Sequence, residues 1–461
     1  MAKPIAADYQ TPFLLPPCLE DWIPPSHPAR FIREFVNNLP WEELGFKAQA
    51  CLEGRPPYSN QMLLQVWLFA YLNKIRSHRA LEKACHEQIS LLWLTGLNYP
   101  DHNTLWRFWS ENKEALQNVF KQSVKVAVKA GLVGLVLQAV DGTRIQAACS
   151  GRSGWTKEQM EELENALDSE IRQTEDTILQ HGKDQTTPGY QLTPELSQAA
   201  KLKETIQEGL KQLKQDGREH YHPKEPEARR MKCEGRNRFA YNAQAVVDDK
   251  AGFITAAEVA NQENDIGQLV PMLEQAKQNV GAPAEQNVAD SGYGSGTDLI
   301  AAEKTEFNVI TAVVPSAGRD QPYHSSKFEY DKQNNTLRCP RGEKLHLERE
   351  RDRRNQRIQV FRCKNRGCPV RHLCSRDPKG RMVDVWESRD ILLAMGKKLA
   401  TPQGQQAMKR RRETVERQFA QAKQHFGFRR WTASGLKNAK AQWSMICLAI
   451  NLQILMKRKS S

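Results

Sequence analysis

The 461-residue sequence predicts an α/β protein in which an all-helical N-terminal domain precedes a central sheet. Apolar residues run almost all round Met62–Leu72, which is typical of a buried helix. The β-rich runs Leu135–Val140, Phe239–Val247 and Phe253–Val259 predict strands, the last two forming a hairpin with a five-residue loop. Because helical and strand patterns alternate after this hairpin, we expect an α/β domain with a central sheet.

A polar stretch rich in Glu and Gln interrupts the sheet pattern and predicts a helical hairpin. Met160, Leu163 and Leu167 recur at helical spacing, and Thr156 with Gln159 forms a capping pair. The chain is thereby divided into six predicted segments. They are a helical domain at 1–130, the first part of the sheet core at 131–155, the inserted hairpin at 156–216, the continued core at 217–325, a basic Cys-containing insertion at 326–385 and C-terminal helices at 386–461.

The net charge of +13 is concentrated in two segments. Thr401–Ser461 holds thirteen Lys and Arg against two Glu, and Arg338–Arg381 holds fifteen against five acids. Clustered cations release condensed counterions when they meet a phosphate backbone, so this distribution favours a polyanion partner. The alternative is an ordinary solvated basic surface.

Neither a membrane nor a secretory location is indicated. Met1–Gln10 lacks the pattern of a signal peptide, and the longest apolar stretch, Trp443–Met456, is interrupted by polar residues and predicts a buried helix. Ten scattered Cys without a secretory context favour a reducing compartment. We therefore expect a cytoplasmic protein without a membrane partner.

Two aspartates follow predicted strands. Asp141 comes after Leu135–Val140 and precedes Gly142, and Asp290 ends a short strand at a sheet edge, where sites of α/β folds commonly lie. Either residue can carry oxygen ligands for a hard divalent cation. The alternatives are a plain Asp-Gly turn for Asp141 and a helix N-cap for Asp290.

A third acid lies on a predicted helix within Lys409–Arg430. Arg412, Glu416 and Lys423 are four and seven residues apart, so they share one face of an α-helix. An acid flanked by cations suits a metal-binding carboxylate beside bound phosphates. The alternative is a salt-bridged surface helix.

Taken together, these residues resemble the three boxes of DDE insertion-sequence transposases, which have an RNase H-like catalytic core. The boxes are Asp141-Gly142-Thr143, Ala289–Tyr293 and the helix with Arg412, Glu416 and Lys423. The resemblance implies that Asp141, Asp290 and Glu416 are catalytic and hold two Mg²⁺ or Mn²⁺ ions.

The same resemblance implies the DNA contacts. The last box of the family reads Tyr, two residues, Arg, three residues, Glu, six residues, Lys, and Lys409 stands where that Tyr would be. A Tyr-specific contact is therefore in doubt. The residues expected to bind DNA are Arg412, Lys423, Lys409, Arg429 and Arg430.

Three further motifs match the family. Gly54–Tyr58 and the helix after it resemble its N-terminal transposase domain, and Tyr241–Gln244 and Asn264-Asp265 resemble core motifs. The implied activity is binding to the ends of an insertion sequence, cleavage with activated water and joining of 3′-hydroxyl ends to target DNA. The implied partners are double-stranded DNA and a second copy of the chain, at the bacterial nucleoid.

Two other functions remain open. The chain could descend from such an enzyme and bind DNA without cutting it, or it could be a nuclease on the same fold that performs no strand transfer. The presence of all three acids argues against the first. Inverted repeats flanking the gene would favour a transposase over both.

Four cysteines form a separate candidate site. Cys339, Cys363, Cys368 and Cys374 supply four thiolates, the number that a tetrahedral structural Zn²⁺ requires. Their spacings are looser than in common zinc motifs, so reduced structural thiols are the alternative. Related transposases carry a similar insertion before the catalytic Glu.

Overall fold

A computed structural model of the protein describes residues 18–48, 56–181, 194–313, 321–353 and 355–459. Helices and strands alternate within it, which confirms the α/β prediction. The chain forms two compact units. The first comprises Met1–Ser123, Arg144–Tyr241 and Gln421–Ser461, and the second comprises Val124–Thr143 and Asn242–Ala420.

The helices of the described residues are numbered in chain order. They are α1 (Pro28–Asn37), α2 (Trp41–Leu44), α3 (Asn60–Leu72), α4 (His78–Glu87), α5 (Ile89–Thr95), α6 (His102–Glu111), α7 (Lys113–Lys129), α8 (Lys157–His181), α9 (Pro194–Asp216), α10 (Leu269–Val280), α11 (Gly296–Glu303), α12 (Arg371–Cys374), α13 (Arg389–Ala400), α14 (Pro402–Ala420) and α15 (Leu436–Lys459). A π-helical segment, Gln421–His425, follows α14 directly.

The strands are numbered in the same way. They are β1 (Leu137–Gln146), β2 (Trp155–Thr156), β3 (His220–Tyr221), β4 (Arg229–Cys233), β5 (Arg236–Asp248), β6 (Phe253–Ala260), β7 (Gln286–Ala289), β8 (Val309–Thr311), β9 (Glu329–Asp331), β10 (Thr336–Arg338), β11 (Lys344–Arg353), β12 (Gln356–Arg362) and β13 (Met382–Trp386).

Helix α3 has the predicted buried character. Ser59 is its N-cap, and the Ser59 hydroxyl accepts a hydrogen bond from the Met62 amide at 3.2 Å. Nine consecutive residues from Leu63 to Tyr71 are buried, because neighbouring helices of the first unit surround α3. Of the matching motif Gly54–Tyr58, Gly54 and Arg55 lie outside the described residues.

Helices α8 and α9 of the first unit form the predicted pair. The Thr156 and Gln159 side chains each accept a hydrogen bond from the other residue's amide, as a capping box does. Apolar side chains of the two helices meet in one cluster: Met160, Leu167, Ile206 and Leu213. The segment that links the helices, 182–193, lies outside the described residues.

The central sheet places β1 beside β7 and β7 beside β8, all three parallel. On the other side β1 lies next to β5, and β5 forms the predicted antiparallel hairpin with β6. β4 pairs with the first residues of β5. The hairpin prediction is confirmed, with a loop between Asp248 and Phe253.

In the second unit, helices cover both faces of this sheet. One face packs against α10 and α11 through buried residues that include Val140, Ala289 and Met272. The other face packs against α14, where Leu137, Val288 and Ile310 contact Ala407. Side chains alternate between the faces of a strand, so Asp141 points to the α14 side, as Leu137 does.

One strand prediction is wrong in its end point. β1 does not stop at Val140 but continues to Gln146, so Asp141 lies within the strand and Gly142 is not in a turn. A Cβ on Gly142 would lie 2.5 Å from the Gln244 amide and 2.8 Å from Asp265. Glycine is therefore needed here for close packing rather than for chain reversal.

A second sheet in the second unit contains β13, β12, β11, β10 and β9 in that order. All four pairings are antiparallel. Its own small core includes Phe328, Leu345 and Phe361, against which Cys339, Cys363 and Cys374 pack. The basic Cys-containing region thus folds as an antiparallel sheet.

Helix α15 contains the longest apolar stretch of the sequence, and most of it is buried, as predicted. Among the described helices, none is both long enough and apolar enough to cross a bilayer.

The turn that precedes β1 depends on a buried aspartate. The Asp248 carboxylate is fully buried and accepts hydrogen bonds from the Gly134 and Leu135 amides, each at 2.9 Å. Leu135 has a φ of 57°, a left-handed conformation that is costly for a leucine. These bonds fix the turn between α7 and β1.

We predict that Asp248→Asn lowers the free energy of unfolding by about 2 kcal/mol, because one of the two acceptors becomes a donor facing an N–H group. Urea unfolding followed by circular dichroism measures this. Asp331→Asn is the matched control, since exposed Asp331 also accepts backbone amides and should cost less than about 0.5 kcal/mol. Equal losses in the two variants would contradict the role of Asp248.

Candidate active site

Asp141 lies in the middle of β1 on the face covered by α14. Its Oδ1 accepts a hydrogen bond from the Gly142 amide at 2.8 Å, and its Oδ2 lies 2.8 Å from Nη2 of Arg411. Only 15% of the Asp141 side chain is exposed. A carboxylate is therefore held rigidly, and largely out of water, at the centre of the sheet.

Asp290 follows β7, the strand parallel to β1. Its Oδ1 accepts a hydrogen bond from the Gly292 amide at 2.8 Å, so it caps the 3-10 turn Ser291–Tyr293. Its Oδ2 lies 3.8 Å from the same Nη2 of Arg411. Asp290 therefore directly follows β7 and caps a 3-10 turn, while the next α-helix is capped by Ser295.

Arg411 joins the two aspartates from α14. The helix is held over the sheet by its buried stripe, and Gln418 also donates to the Gly252 carbonyl at 2.6 Å. The Arg411 side chain is 8% exposed. Its Nε is buried without a hydrogen-bond partner in the described part of the chain.

A third carboxylate, that of Asp265, lies beside the pair. Its Oδ1 accepts hydrogen bonds from the side-chain amides of Asn242 and Gln244, at 2.7 and 2.8 Å. Gln244 in turn accepts from the Tyr293 hydroxyl. Asn242 and Gln244 of one motif therefore contact Asp265 of the other, behind Asp141 and Asp290.

The electrostatics follow from burial and from the concentration of acids. The pKa of Asp141 is raised to about 6, chiefly by burial and further by Asp290 and Asp265, while Arg411 opposes the shift. The pKa of the Tyr293 hydroxyl is also raised, first by burial and then by the same three carboxylates. One guanidinium thus faces an excess of negative charge.

Glu416, the third predicted catalytic acid, lies on α14 but is exposed. It lies about 140° around the helix from Arg411, given 100° per residue. No hydrogen bond or ion pair of Glu416 is found among the described residues, whereas Asp141 and Asp290 meet through Arg411. Arg412 and Lys409 are exposed on the same helix.

Lys423, Arg429 and Arg430 belong to the first unit. Lys423 lies in the π-helical segment that begins at Gln421, so its seven-residue spacing from Glu416 no longer implies a shared helix face. Burial lowers the pKa of Lys423. Arg429 is ion-paired with Glu234, and Arg430 donates to the Cys149 carbonyl at 3.1 Å.

The basic Cys-containing sheet pairs part of its own charge. Arg351 contacts Asp384 at 2.6 Å, and Arg362 contacts Glu348 at 2.9 Å. Arg357 is paired with Glu350. The net charge of this segment therefore overstates the number of cations available to a polyanion.

The four predicted zinc ligands occupy one end of the same sheet. Burial raises the pKa of the Cys363 and Cys374 thiols, and charge on the neighbouring cysteines raises both further. All four thiols are free of disulfides. They are close enough to interact electrostatically.

Within the described ranges, no group of three or more His, Cys, Asp or Glu side chains has the geometry of a metal site. The donor set nevertheless fits a hard divalent cation, because Asp141 and Asp290 converge on one positive group. Asn242 adds a buried oxygen that lacks a partner among the described residues.

Sequence reasoning missed Arg411 and gave Asp265 no role. Arg411 is one of three consecutive arginines, and only the buried stripe of α14 distinguishes it from its neighbours. Continuing that stripe from Gly404 and Ala407 would have singled out Arg411 as the inward-facing cation. Asp265 carried no comparable local signal.

Two family models match the chain. A model described as a transposase DDE domain matches residues 338–456, and one described as a transposase domain (DUF772) matches residues 17–111. The first match includes Glu416 but neither Asp141 nor Asp290. No match was found among curated proteins or among solved structures.

The C-terminal part of the chain is thus similar to DDE transposase domains. Transposase domains at the N-terminal and the C-terminal parts together confirm the resemblance to insertion-sequence DDE transposases.

We predict a pH dependence of stability that originates at Asp141. Its pKa of about 6 exceeds the ordinary 3.8, so the folded protein binds the proton more tightly than the unfolded chain. Relative to Asp141→Asn, the metal-free wild type should lose about 2 kcal/mol of unfolding free energy as the pH rises from about 4 to about 6.5. Above that range the difference should stay constant.

Urea unfolding of both proteins in chelator across this pH range makes the comparison. Other groups titrate in both proteins and contribute equally to the two profiles. The difference in unfolding free energy between wild type and Asp141→Asn therefore reports on Asp141. Parallel profiles would show that folding does not raise the pKa of Asp141.

Proposed function

We propose that this protein is a DNA transposase that binds the ends of an insertion sequence, cleaves phosphodiester bonds there and joins the 3′-hydroxyl ends to target DNA. The observation that carries the proposal is the convergence of Asp141 and Asp290, from adjacent parallel strands, on Arg411 in a chain with two transposase matches.

The proposed core is RNase H-like. In support, β1 lies between an antiparallel hairpin, β5 and β6, and two parallel strands, β7 and β8. Asp141 on the central strand and Asp290 after its parallel neighbour are where a carboxylate site of such a sheet would lie. In this proposal the helices α8 and α9, and the basic Cys-containing sheet, are insertions into that core.

Asp141 and Asp290 would hold two Mg²⁺ or Mn²⁺ ions, with Glu416 as the third acid. When bound, such ions supply activation of the attacking oxygen and stabilisation of the leaving oxygen. Glu416 lies about 140° around α14 from Arg411, so the proposal requires a large rotation of α14 on binding DNA to bring Glu416 to the pair. Arg411 orients both carboxylates while their charge is otherwise unbalanced.

The exposed cations of α14 are the proposed DNA contacts near the acids. Arg412 and Lys409 have solvent-exposed side chains on this helix, which suits contact with phosphates. Lys423, Arg429 and Arg430 complete the proposed set, with Arg429 leaving Glu234 to do so. Two element ends must be cut in concert, so we propose a homodimer on DNA.

We predict that Asp141→Asn, Asp290→Asn and Glu416→Gln each abolish cleavage of end-containing DNA in Mg²⁺ while binding is largely retained. Each change removes a negative charge that balances divalent cations. Because the three acids act together, the loss of activity in a double variant should be little larger than in a single variant. Cleavage is measured on labelled duplex, with a mobility-shift assay for binding.

Glu413→Gln is the matched control, because Glu413 is exposed on the same helix about 60° from the proposed third acid. Full cleavage by Glu416→Gln, or its loss in Glu413→Gln, would show that Glu416 is not the third acid. Cleavage without strand transfer by the wild-type protein would favour a nuclease. DNA binding without any cleavage would favour a DNA-binding protein.

The clustered thiols support a proposed structural Zn²⁺ site at Cys339, Cys363, Cys368 and Cys374. Four thiols match the ligand number of a closed tetrahedral site, and binding would have to draw them closer together than they lie here.

We predict about one zinc per chain in protein purified without chelator, and its loss in Cys368→Ser, because four-thiolate sites rarely tolerate loss of a ligand. Elemental analysis by mass spectrometry measures the metal. Cys233→Ser is the control, since this buried thiol lies in the other unit and should leave the zinc content unchanged. Zinc-free wild-type protein would indicate reduced structural thiols.

A further inference from the structure

Behind the two aspartates lies a buried polar cluster that the proposed function has not yet used. It consists of Asp265, Asn242, Gln244 and Tyr293, each of which is at most 5% exposed. Hydrogen bonds connect them in series: Tyr293 donates to Gln244, and Gln244 and Asn242 both donate to Asp265. Burying polar groups is costly unless they are hydrogen-bonded, so this network fixes the position and orientation of each member.

Two glycines show how closely Asp265 packs behind Asp141 and Asp290. A Cβ on Gly142, beside Asp141, would lie 2.8 Å from Asp265 Oδ1. A Cβ on Gly292, whose amide binds Asp290, would lie 2.8 Å from Asp265 Oδ2. The two oxygens of one carboxylate therefore occupy the space that a side chain would need next to each of the two aspartates.

The cluster is also fixed from the side of the hairpin. Asn242 and Gln244 are two residues apart on β5, so both point to the same face of the sheet and both reach the same oxygen of Asp265. These two donors are neutral carboxamides, so they orient the carboxylate without cancelling its charge. The site consequently carries three carboxylates, with Arg411 paired to two of them.

We propose that Asp265 is a positioning residue for the divalent cations of the site. It sets the separation of Asp141 and Asp290 through Gly142 and Gly292, and it adds negative charge that favours a bound cation. This inference rests on the proposed function, because it takes Asp141 and Asp290 to be cation ligands. Asp265 itself acts from behind them, in the way that outer-shell groups orient metal ligands.

The test measures binding of Mn²⁺ alone to the full-length protein. Electron paramagnetic resonance detects it, because the signal of free Mn²⁺ decreases as the ion binds. Asp265→Asn retains the size of the side chain and one oxygen acceptor but removes the charge. We expect it to weaken Mn²⁺ binding about 10- to 100-fold, as loss of an outer-shell group does. Gly292→Ala should also weaken binding without changing any charge, because its Cβ would crowd both Asp265 and Asp290.

Matched variants separate this role from general destabilisation. Asp248→Asn alters another buried aspartate of the same unit that accepts two backbone amides, so it should lower stability and leave Mn²⁺ affinity unchanged. Gly396→Ala introduces a Cβ where nothing lies within 4 Å and should change neither property. Thermal unfolding of each variant confirms that it is folded at the assay temperature.

The outcomes are distinct. Wild-type affinity in folded Asp265→Asn, with binding abolished in Asp141→Asn, would overturn the role of Asp265 and leave the proposed function intact. An equal loss in Asp248→Asn and Asp265→Asn would also overturn it, since the effect would then follow stability. Absence of Mn²⁺ binding by the wild type, or binding that survives Asp141→Asn, would contradict the proposed function and this inference together.

Discussion

The pairing of one buried guanidinium with carboxylates from two strands organises the candidate site. Arg411 lies 2.8 Å from Asp141 and 3.8 Å from Asp290, so it links α14 to two strands of the sheet. Because Asp265 adds a third carboxylate, the acids outnumber the cation that faces them. A site with this imbalance favours a further positive charge, and binding of a divalent cation would provide it.

The sheet makes this arrangement possible by bringing distant parts of the chain together. β1 and β7 are separated by about 140 residues in sequence but are adjacent and parallel, with Val140 opposite Ala289. The residues that follow this pair, Asp141 and Asp290, therefore lie side by side. The glycines next to each aspartate leave room for Asp265, so the packing behind the site is as specific as the charges in front of it.

Patterns that depend on neighbouring residues were predictable from the sequence. The hairpin of β5 and β6, the buried helix α3 and the capping box at Thr156 all follow from local propensity and hydrophobic period. The end of β1 was not predictable, because an Asp-Gly pair usually marks a turn. Here, contacts to residues more than 100 positions away require an extended Gly142 instead.

The candidate site was predictable to a similar extent. Asp141 and Asp290 could be found as acids after β-rich runs, and the helical stripe of α14 could have indicated Arg411. The contact of Asp265 with Asn242 and Gln244 depends on tertiary structure that no spacing shows. The face shared by Arg412 and Glu416 follows from α-helical geometry, whereas the π-helical segment after Ala420 removes that basis for Lys423. Irregular backbone of this kind leaves little trace in a pattern of charges.

The most direct test of the central claim, that Asp141 and Asp290 hold the same cation, is cleavage of the protein backbone by Fe²⁺ bound in place of Mg²⁺. With ascorbate and peroxide, radicals released at the ion cut the nearest backbone, and mass spectrometry maps the cuts. Our account predicts cuts near both aspartates that excess Mg²⁺ suppresses and that Asp141→Asn removes at both places. Cuts confined to other regions, or cuts near Asp290 that survive Asp141→Asn, would contradict it.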